Sequence, residues 1–201
     1  GLAGATALFK EHMMVPGKNT VVAGSGPLLF YVASEIERLG GHVAAVVSLN
    51  SRFDWLKVLP TMITQPKLLL QGFKWVCAFY TKTHWQSAAV KFDGSQNVES
   101  ATIKSVNKNW SPIGPEKTIE TDSVCYGQGL IPAIEATRLA GADHHYDETL
   151  GGWVPTIDEM GRTSVEGLFV CGDNAGILGA LAAPLRGKNA AQAMKKSGVI
   201  Y

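Results

Sequence analysis

An α/β fold built on a parallel sheet is what this 201-residue sequence predicts, and three observations predict it. Residues 18–47 read as strand, glycine turn, helix and strand, about the 30 residues that one parallel crossover needs. A second strand pattern at 117–126 also runs into glycine, at Gly127-Gln128-Gly129. Finally, 22 glycines, above the usual share of about 7%, accompany 46% hydrophobic and 17% charged residues, a balance that suits α/β better than a helical bundle.

Gly4–His12 places Ala5, Leu8 and Phe9 at helical spacing before Pro16-Gly17 interrupts, so a short helix leads in. Lys18–Ala23 is a strand entering Gly24-Ser25-Gly26, and Pro27 suits a first helical turn, where a missing N–H costs nothing. That helix runs to Leu39, Gly40-Gly41 cap it, and His42–Val47 is the next strand. Asn50–Gln71 reads as two short helices around Pro60 and Pro66. Trp75–Tyr80, Trp85–Phe92 and Val98–Val106 read as strands, the last two joined by a hairpin turn at Asp93-Gly94. Lys117–Tyr126 predicts one strand, Ile131–Leu139 a helix, Trp153–Pro155 and Gly167–Cys171 two strands, and Ala180–Lys196 a closing helix.

Charge and hydropathy exclude several functions. With 18 basic and 17 acidic residues, a net charge of +1 leaves no footprint for nucleic acid or an anionic membrane. Apolar runs such as Val43–Val47 fall far short of the roughly 20 residues that span a bilayer. Gly1–Pro16 lacks the basic start and continuous apolar stretch of a signal peptide, and the chain reads as beginning mid-protein. Cys77, Cys125 and Cys171 include no CxxC pair, which points to a reducing, cytoplasmic setting with all three as buried apolar residues. His144-His145 with Asp143 and Asp147 has a metal-binding composition, but neighbouring loop residues project in different directions and no metal is expected there. The five tryptophans, Trp55, Trp75 and Trp110 among them, read as packing residues. Neither Asp122 with Cys125 nor His84 has a partner at a base–nucleophile spacing, so no catalytic residue is assigned.

Two glycine segments carry binding chemistry. Gly24, Ser25, Gly26, Pro27 and Leu28 stand between a strand and a helix, where a dinucleotide fingerprint belongs: one glycine for the turn, one for close approach of a pyrophosphate, then a helix N-terminus. Two features depart from that pattern. Leu29 stands where a small residue is usual, and the next strand ends in Ser48-Leu49-Asn50, with no carboxylate before Asp54 and with Arg52 able to face a phosphate. The other segment, Gly167–Gly176, reads as a strand entering Gly172-Asp173, where an aspartate can accept hydrogen bonds from ribityl or ribose hydroxyls. A helix starting near Gly179-Ala180 would aim its dipole at a flavin.

At these residues the chain resembles the two-dinucleotide-binding-domain FAD/NAD(P)-dependent flavoproteins. The resemblance rests on Gly24–Leu29, Thr121–Gly127, Asp158–Thr163 and Gly167–Asp173, in that order. Gly127–Pro132 and Gly172–Ala182 look most like the larger subunits of opine oxidases, hydrogen cyanide synthase and dye-linked proline dehydrogenases. The resemblance implies an α/β, Rossmann-like parallel-sheet nucleotide-binding domain in three layers, β/β/α, with the returning part of an FAD domain. Residues 1–16 would be a linker helix, 17–125 the NAD(P)-type domain and 126–201 the FAD-domain part, with the first FAD-binding half lacking. It also implies FAD, NAD(P) or another adenine nucleotide, a small amino-acid-like substrate, and a partner subunit or self-association. Cofactor contacts would fall on Gly24, Ser25, Gly26, Pro27, Leu28, Gly127, Gly172, Asp173, Gly179 and Ala180. Two functions stay open: hydride transfer from an amine or amino-acid-like substrate to FAD, and a non-catalytic module that binds an adenine nucleotide or assembles subunits.

Overall fold

The computed structural model describes residues 1–54, 66–179 and 182–196. It divides into two compact units, Gly1–Gly129 and Leu130–Tyr201.

In the first unit, strands β1 (Asn19–Gly24), β2 (His42–Ser48), β3 (Thr83–His84) and β7 (Ser123–Gly127) form a parallel sheet in the order β3-β2-β1-β7. A second, antiparallel sheet holds β4 (Ser87–Asp93), β5 (Ser100–Val106) and β6 (Pro112–Glu120). The alternation of β1 shows how the layers stack. Val22 packs with Leu29, Phe30, Val32 and Ile36 of helix α2 (Leu28–Arg38), whereas Val21 and Ala23 pack with Ala101 and Ile103 of β5. Successive strand residues face opposite ways, so a strand buried on both sides reads as a continuous apolar run. The three-layer β/β/α arrangement is therefore present.

Helix α1 (Leu2–Ala7) continues into a wider turn over Leu8–His12, with Leu2, Ala5 and Phe9 buried in the helix-side core. α2 buries Leu29, Phe30, Val32, Ala33 and Ile36, a stripe at helical spacing worth about 1.5–3 kcal/mol for each large side chain. It ends at Gly40, whose φ of 86° favours glycine.

Several predicted elements need correction. Trp75–Tyr80 is not a strand: helix α3 (Pro66–Ala78) covers most of it, and Trp75 meets Tyr31 edge-on at 5.8 Å. Packing against α2 overrides the strand preference of aromatic residues. The helix predicted around Trp55 to Pro60 lies outside the described residues. Lys117–Tyr126 is two strands, because Thr121-Asp122 carries the chain from one sheet to the other. The Asp122 carboxylate accepts the Lys18 and Asn19 N–H groups at 3.0 and 2.9 Å, which fixes that crossing to the start of β1.

In the second unit, helix α4 is confined to Glu135–Leu139; Pro132 keeps the preceding residue out of helical geometry. Strands β8 (His144–Asp147) and β9 (Gly152–Pro155) pair antiparallel. Gly167–Cys171 forms only an isolated bridge, Arg162 opposite Phe169, rather than the predicted strand. Helix α5 spans Ala182–Lys196. Cys125 is buried, and burial pushes its thiol up to about 11, but Cys77 and Cys171 are exposed, contrary to expectation. Trp110 and Trp153 are also exposed rather than packed, while Trp55 lies outside the described residues.

Candidate functional site

Strand β1 ends at Gly24 for a steric reason. Its φ is 144°, and a Cβ there would sit 1.7 Å from the Gly127 carbonyl oxygen. That oxygen instead accepts the Ser25 N–H at 3.1 Å, so β1 and β7 close together at their carboxyl ends. In the order β3-β2-β1-β7, the chain leaves β1 for β2 on one side and returns as β7 on the other. Gly24 and Gly127 thus flank the switch point, the place where open α/β sheets take ligands.

Beyond it, Gly26 has a φ of 82°, and no atom lies within 4 Å of where its Cβ would be. Pro27 then caps α2, whose first amides have no partner within the helix and whose dipole favours an anion. Gly24, Ser25, Gly26, Pro27, Leu28 and Gly127 are therefore brought together within one unit. Leu29, the unusual residue of the fingerprint, is fully buried and fills the helix–sheet layer.

At the end of β2 the residue that matters is Asn50, which sequence reasoning registered only as a missing carboxylate. Its Oδ1 accepts the Gly26 N–H at 2.9 Å, and its backbone carbonyl accepts the Gln86 N–H at 3.1 Å. The one sequence signal for this was an asparagine just past a strand end, a type that bonds nearby backbone. Asp54 turns to its own loop: its Oδ2 accepts the Ser51 N–H at 2.8 Å, and its own N–H donates to Ser51 Oγ at 3.2 Å. Arg52 is exposed, with its guanidinium 6.0 Å from the Phe53 ring centroid. At the end of β3, burial and then the Lys117 ammonium hold the His84 imidazole below its ordinary range.

In the second unit, Asp158 organises a tight turn. Its Oδ1 accepts the N–H groups of Met160 and Arg162, both at 2.9 Å, and its Oδ2 accepts Arg162 Nη1 at 3.1 Å. These donors, the Arg162 backbone first, hold the carboxyl below the usual aspartate range. The turn binds the following segment through Thr163 N–H to Leu168 O at 3.0 Å and Val170 N–H to Gly161 O at 2.8 Å. Gly172, with a φ of 73°, then opens a single 3₁₀ turn through Ala175. Space around Gly172 is open, and the Asp173 side chain is exposed. Arg186 Nη1 of α5 donates to the Ala175 carbonyl at 3.1 Å, tying turn to helix. Gly172, Asp173, Gly179 and Arg186 share one shallow recess; Ala180 lies outside the described residues. A cleft of about 340 Å³ in the same unit is lined by Leu150, Val154, Ile157 and Val170 with His145, Asp158 and Glu159.

His144 and His145 are strand residues, not loop residues as expected. His144 lies between the Thr137 hydroxyl and the Ala142 carbonyl, each at 2.8 Å, and His145 meets Thr156 Oγ1 at 3.1 Å. Among the described residues no His, Cys, Asp or Glu group is arranged to hold a metal ion, and no helix is long and apolar enough to cross a membrane.

Known proteins resemble this chain in sequence and in fold. An opine oxidase subunit from Rhizobium meliloti is 31% identical over 95% of this chain and 36% of its own length. The hydrogen cyanide synthase subunit HcnB of Pseudomonas protegens is 26% identical over 94% of this chain and 41% of its own. The chain thus spans well under half of these relatives. Among solved structures, the bacillithiol disulfide reductase Bdr of Staphylococcus aureus matches 92% of this chain and 53% of its own, with a TM-score of 0.62 and 19% identity. L-proline dehydrogenase from P. horikoshii matches 96% of this chain and 29% of its own, with a TM-score of 0.60 and 18% identity. These structural likenesses establish the fold. The sequence profile of the pyridine nucleotide-disulphide oxidoreductases matches residues 2–197, and the chain belongs to that family.

Proposed function

We propose that this chain is the nucleotide-binding part of a flavin-dependent oxidoreductase that oxidises an amine or amino-acid-like substrate by hydride transfer to FAD. The observation that carries this reading is the family match over residues 2–197 together with an open glycine and an exposed aspartate at Gly172-Asp173. These residues fit a flavin: a positive φ with free space lets the backbone approach a ligand, and a carboxylate accepts from ribityl or ribose hydroxyls. FAD, when bound, supplies the hydride acceptor. Asp173 and Gly172 would hold it, Arg186 fixes the turn that presents them, and the N-terminus of α5 would offer it a favourable helix dipole.

In the same reading, 17–125 is the NAD(P)-type domain, with Gly24, Ser25, Gly26, Pro27 and Leu28 as its cofactor residues, and 126–201 is the returning part of the FAD domain, whose Gly127 adds a cofactor contact beside Gly24. The chain works with a partner subunit in a reducing, cytoplasmic setting; its relatives are themselves named as subunits, which supports the partner. A second reading, an adenine-nucleotide module without turnover, is favoured by the containment of the Gly24 and Gly127 arrangement within Gly1–Gly129.

Equilibrium titration with FAD, followed by flavin fluorescence, tests the flavin site. Saturable binding weakened by Asp173→Ala is expected. Absence of binding, or equal binding by that variant, would refute the assignment of Asp173.

A further inference from the structure

We infer that a second copy of this chain docks on the unit Leu130–Tyr201, with the acidic, aromatic β8–β9 hairpin of each copy lying against the basic outer stripe of helix α5 of the other. The inference does not depend on which cofactor the unit binds. The whole chain carries a net charge of +1, but within this unit the signs separate. Residues 139–161 hold five carboxylates, those of Asp143, Asp147, Glu148, Asp158 and Glu159, and no lysine or arginine. Helix α5 holds Arg186, Lys188, Lys195 and Lys196 and no carboxylate.

Apolar surface accompanies the charge on both elements. Tyr146 and Trp153 stand opposite each other across the hairpin, their rings edge-on at 5.9 Å and each residue more than half exposed. Such residues are enriched where interfaces concentrate their energy. On α5, Ala190 and Ala193 are buried, which leaves Leu185, Lys188, Gln192, Lys195 and Lys196 exposed at helical spacing. Among the described residues, Asp143, Glu148, Glu159, Lys188, Lys195 and Lys196 enter no ion pair. One exposed ion pair adds little, but several opposed charges around an aromatic–leucine contact set the register of an interface, and a lysine over the Trp153 ring adds a cation–π attraction. Both β9 and α5 touch the Gly172–Ala175 turn, so hairpin and helix are neighbours on one body. That placement lets a two-fold axis make the hairpin-on-helix contact twice and close the pair.

The test is sedimentation velocity of the full chain over a concentration series, with two charge-reversed variants at exposed positions. One carries Lys195→Glu and Lys196→Glu, the other Asp143→Lys and Glu148→Lys, and circular dichroism verifies that each is folded. The wild type is expected to dimerise, and added salt to weaken the dimer. Each variant alone should dimerise at least about tenfold more weakly, because its hairpin and helix then carry the same sign. An equimolar mixture of the two should restore a heterodimer, since each hairpin again meets a helix of opposite charge. A wild-type chain that stays monomeric up to its solubility limit would overturn the inference, as would a dimer that neither variant weakens. Weakened variants whose mixture restores nothing would overturn the pairing of hairpin with helix, and open-ended oligomers in place of a dimer would overturn its two-fold closure.

Discussion

Gly24 and Gly127 stand so close at the ends of β1 and β7 that a methyl group on Gly24 would fall 1.7 Å from the Gly127 carbonyl oxygen. The contact closes the parallel sheet and sets the start of the Ser25–Leu28 turn, so strand pairing and the candidate site depend on the same absent side chain. Gly24→Ala is expected to cost at least about 2 kcal/mol from its positive φ and the steric clash, and to weaken nucleotide binding. Urea denaturation beside nucleotide titration checks this. An unchanged midpoint would contradict the close packing.

Asp122 holds the opposite end of β1 through two backbone N–H groups, those of Lys18 and Asn19. Asp122→Ala should therefore destabilise the chain by about 1–3 kcal/mol while leaving FAD affinity unchanged, because one carboxylate serves two donors and touches no site residue. Thermal melting and FAD titration of the same variant separate the two effects.

The three cysteines should differ in reactivity. Cys77 and Cys171 are exposed, and Cys125 is buried with its thiol pushed up to about 11. A chromogenic disulfide reagent at neutral pH is expected to modify Cys77 and Cys171 in the native chain and Cys125 only after unfolding. Rapid native labelling of Cys125, located by mass spectrometry, would contradict the burial.

Asp158 and Asp147 both lie below the usual aspartate range, Asp158 through the Arg162 backbone first and Asp147 through the Thr149 hydroxyl first. A carboxylate depressed in the folded state stabilises fully above its unfolded value, about 4, and loses that contribution as pH falls through the lower folded value. Stability should thus decline with acid below about pH 4, and Asp158→Asn should flatten the decline. Denaturant midpoints across that range, for wild type and variant, provide the check.

Much of the first unit was legible in the sequence because its signals are local. Val21 to Ala23, Gly24 and the stripe from Leu29 to Ile36 each fit one element without reference to distant residues. What was missed depends on partners far along the chain. Trp75 is helical because Tyr31 and the core receive it, and Thr121-Asp122 breaks a strand because Lys18 and Asn19 need acceptors. The glycine positions of the candidate site followed from their backbone role, but the Asn50 contact to Gly26 crosses from β2 to the turn after β1 and could not be read from spacing. Gly167–Cys171 has strand composition, yet it meets the Gly161–Thr163 turn through a single bridge, a tertiary outcome that composition does not encode.

The most direct test of the central claim is an anaerobic absorption spectrum of the purified chain, mixed with FAD and a candidate partner fraction, before and after an amino-acid-like substrate is added. The account predicts an oxidised flavin band between about 350 and 500 nm that the substrate bleaches. A chain that acquires no flavin band, or whose band no amine or amino-acid substrate reduces, would contradict it.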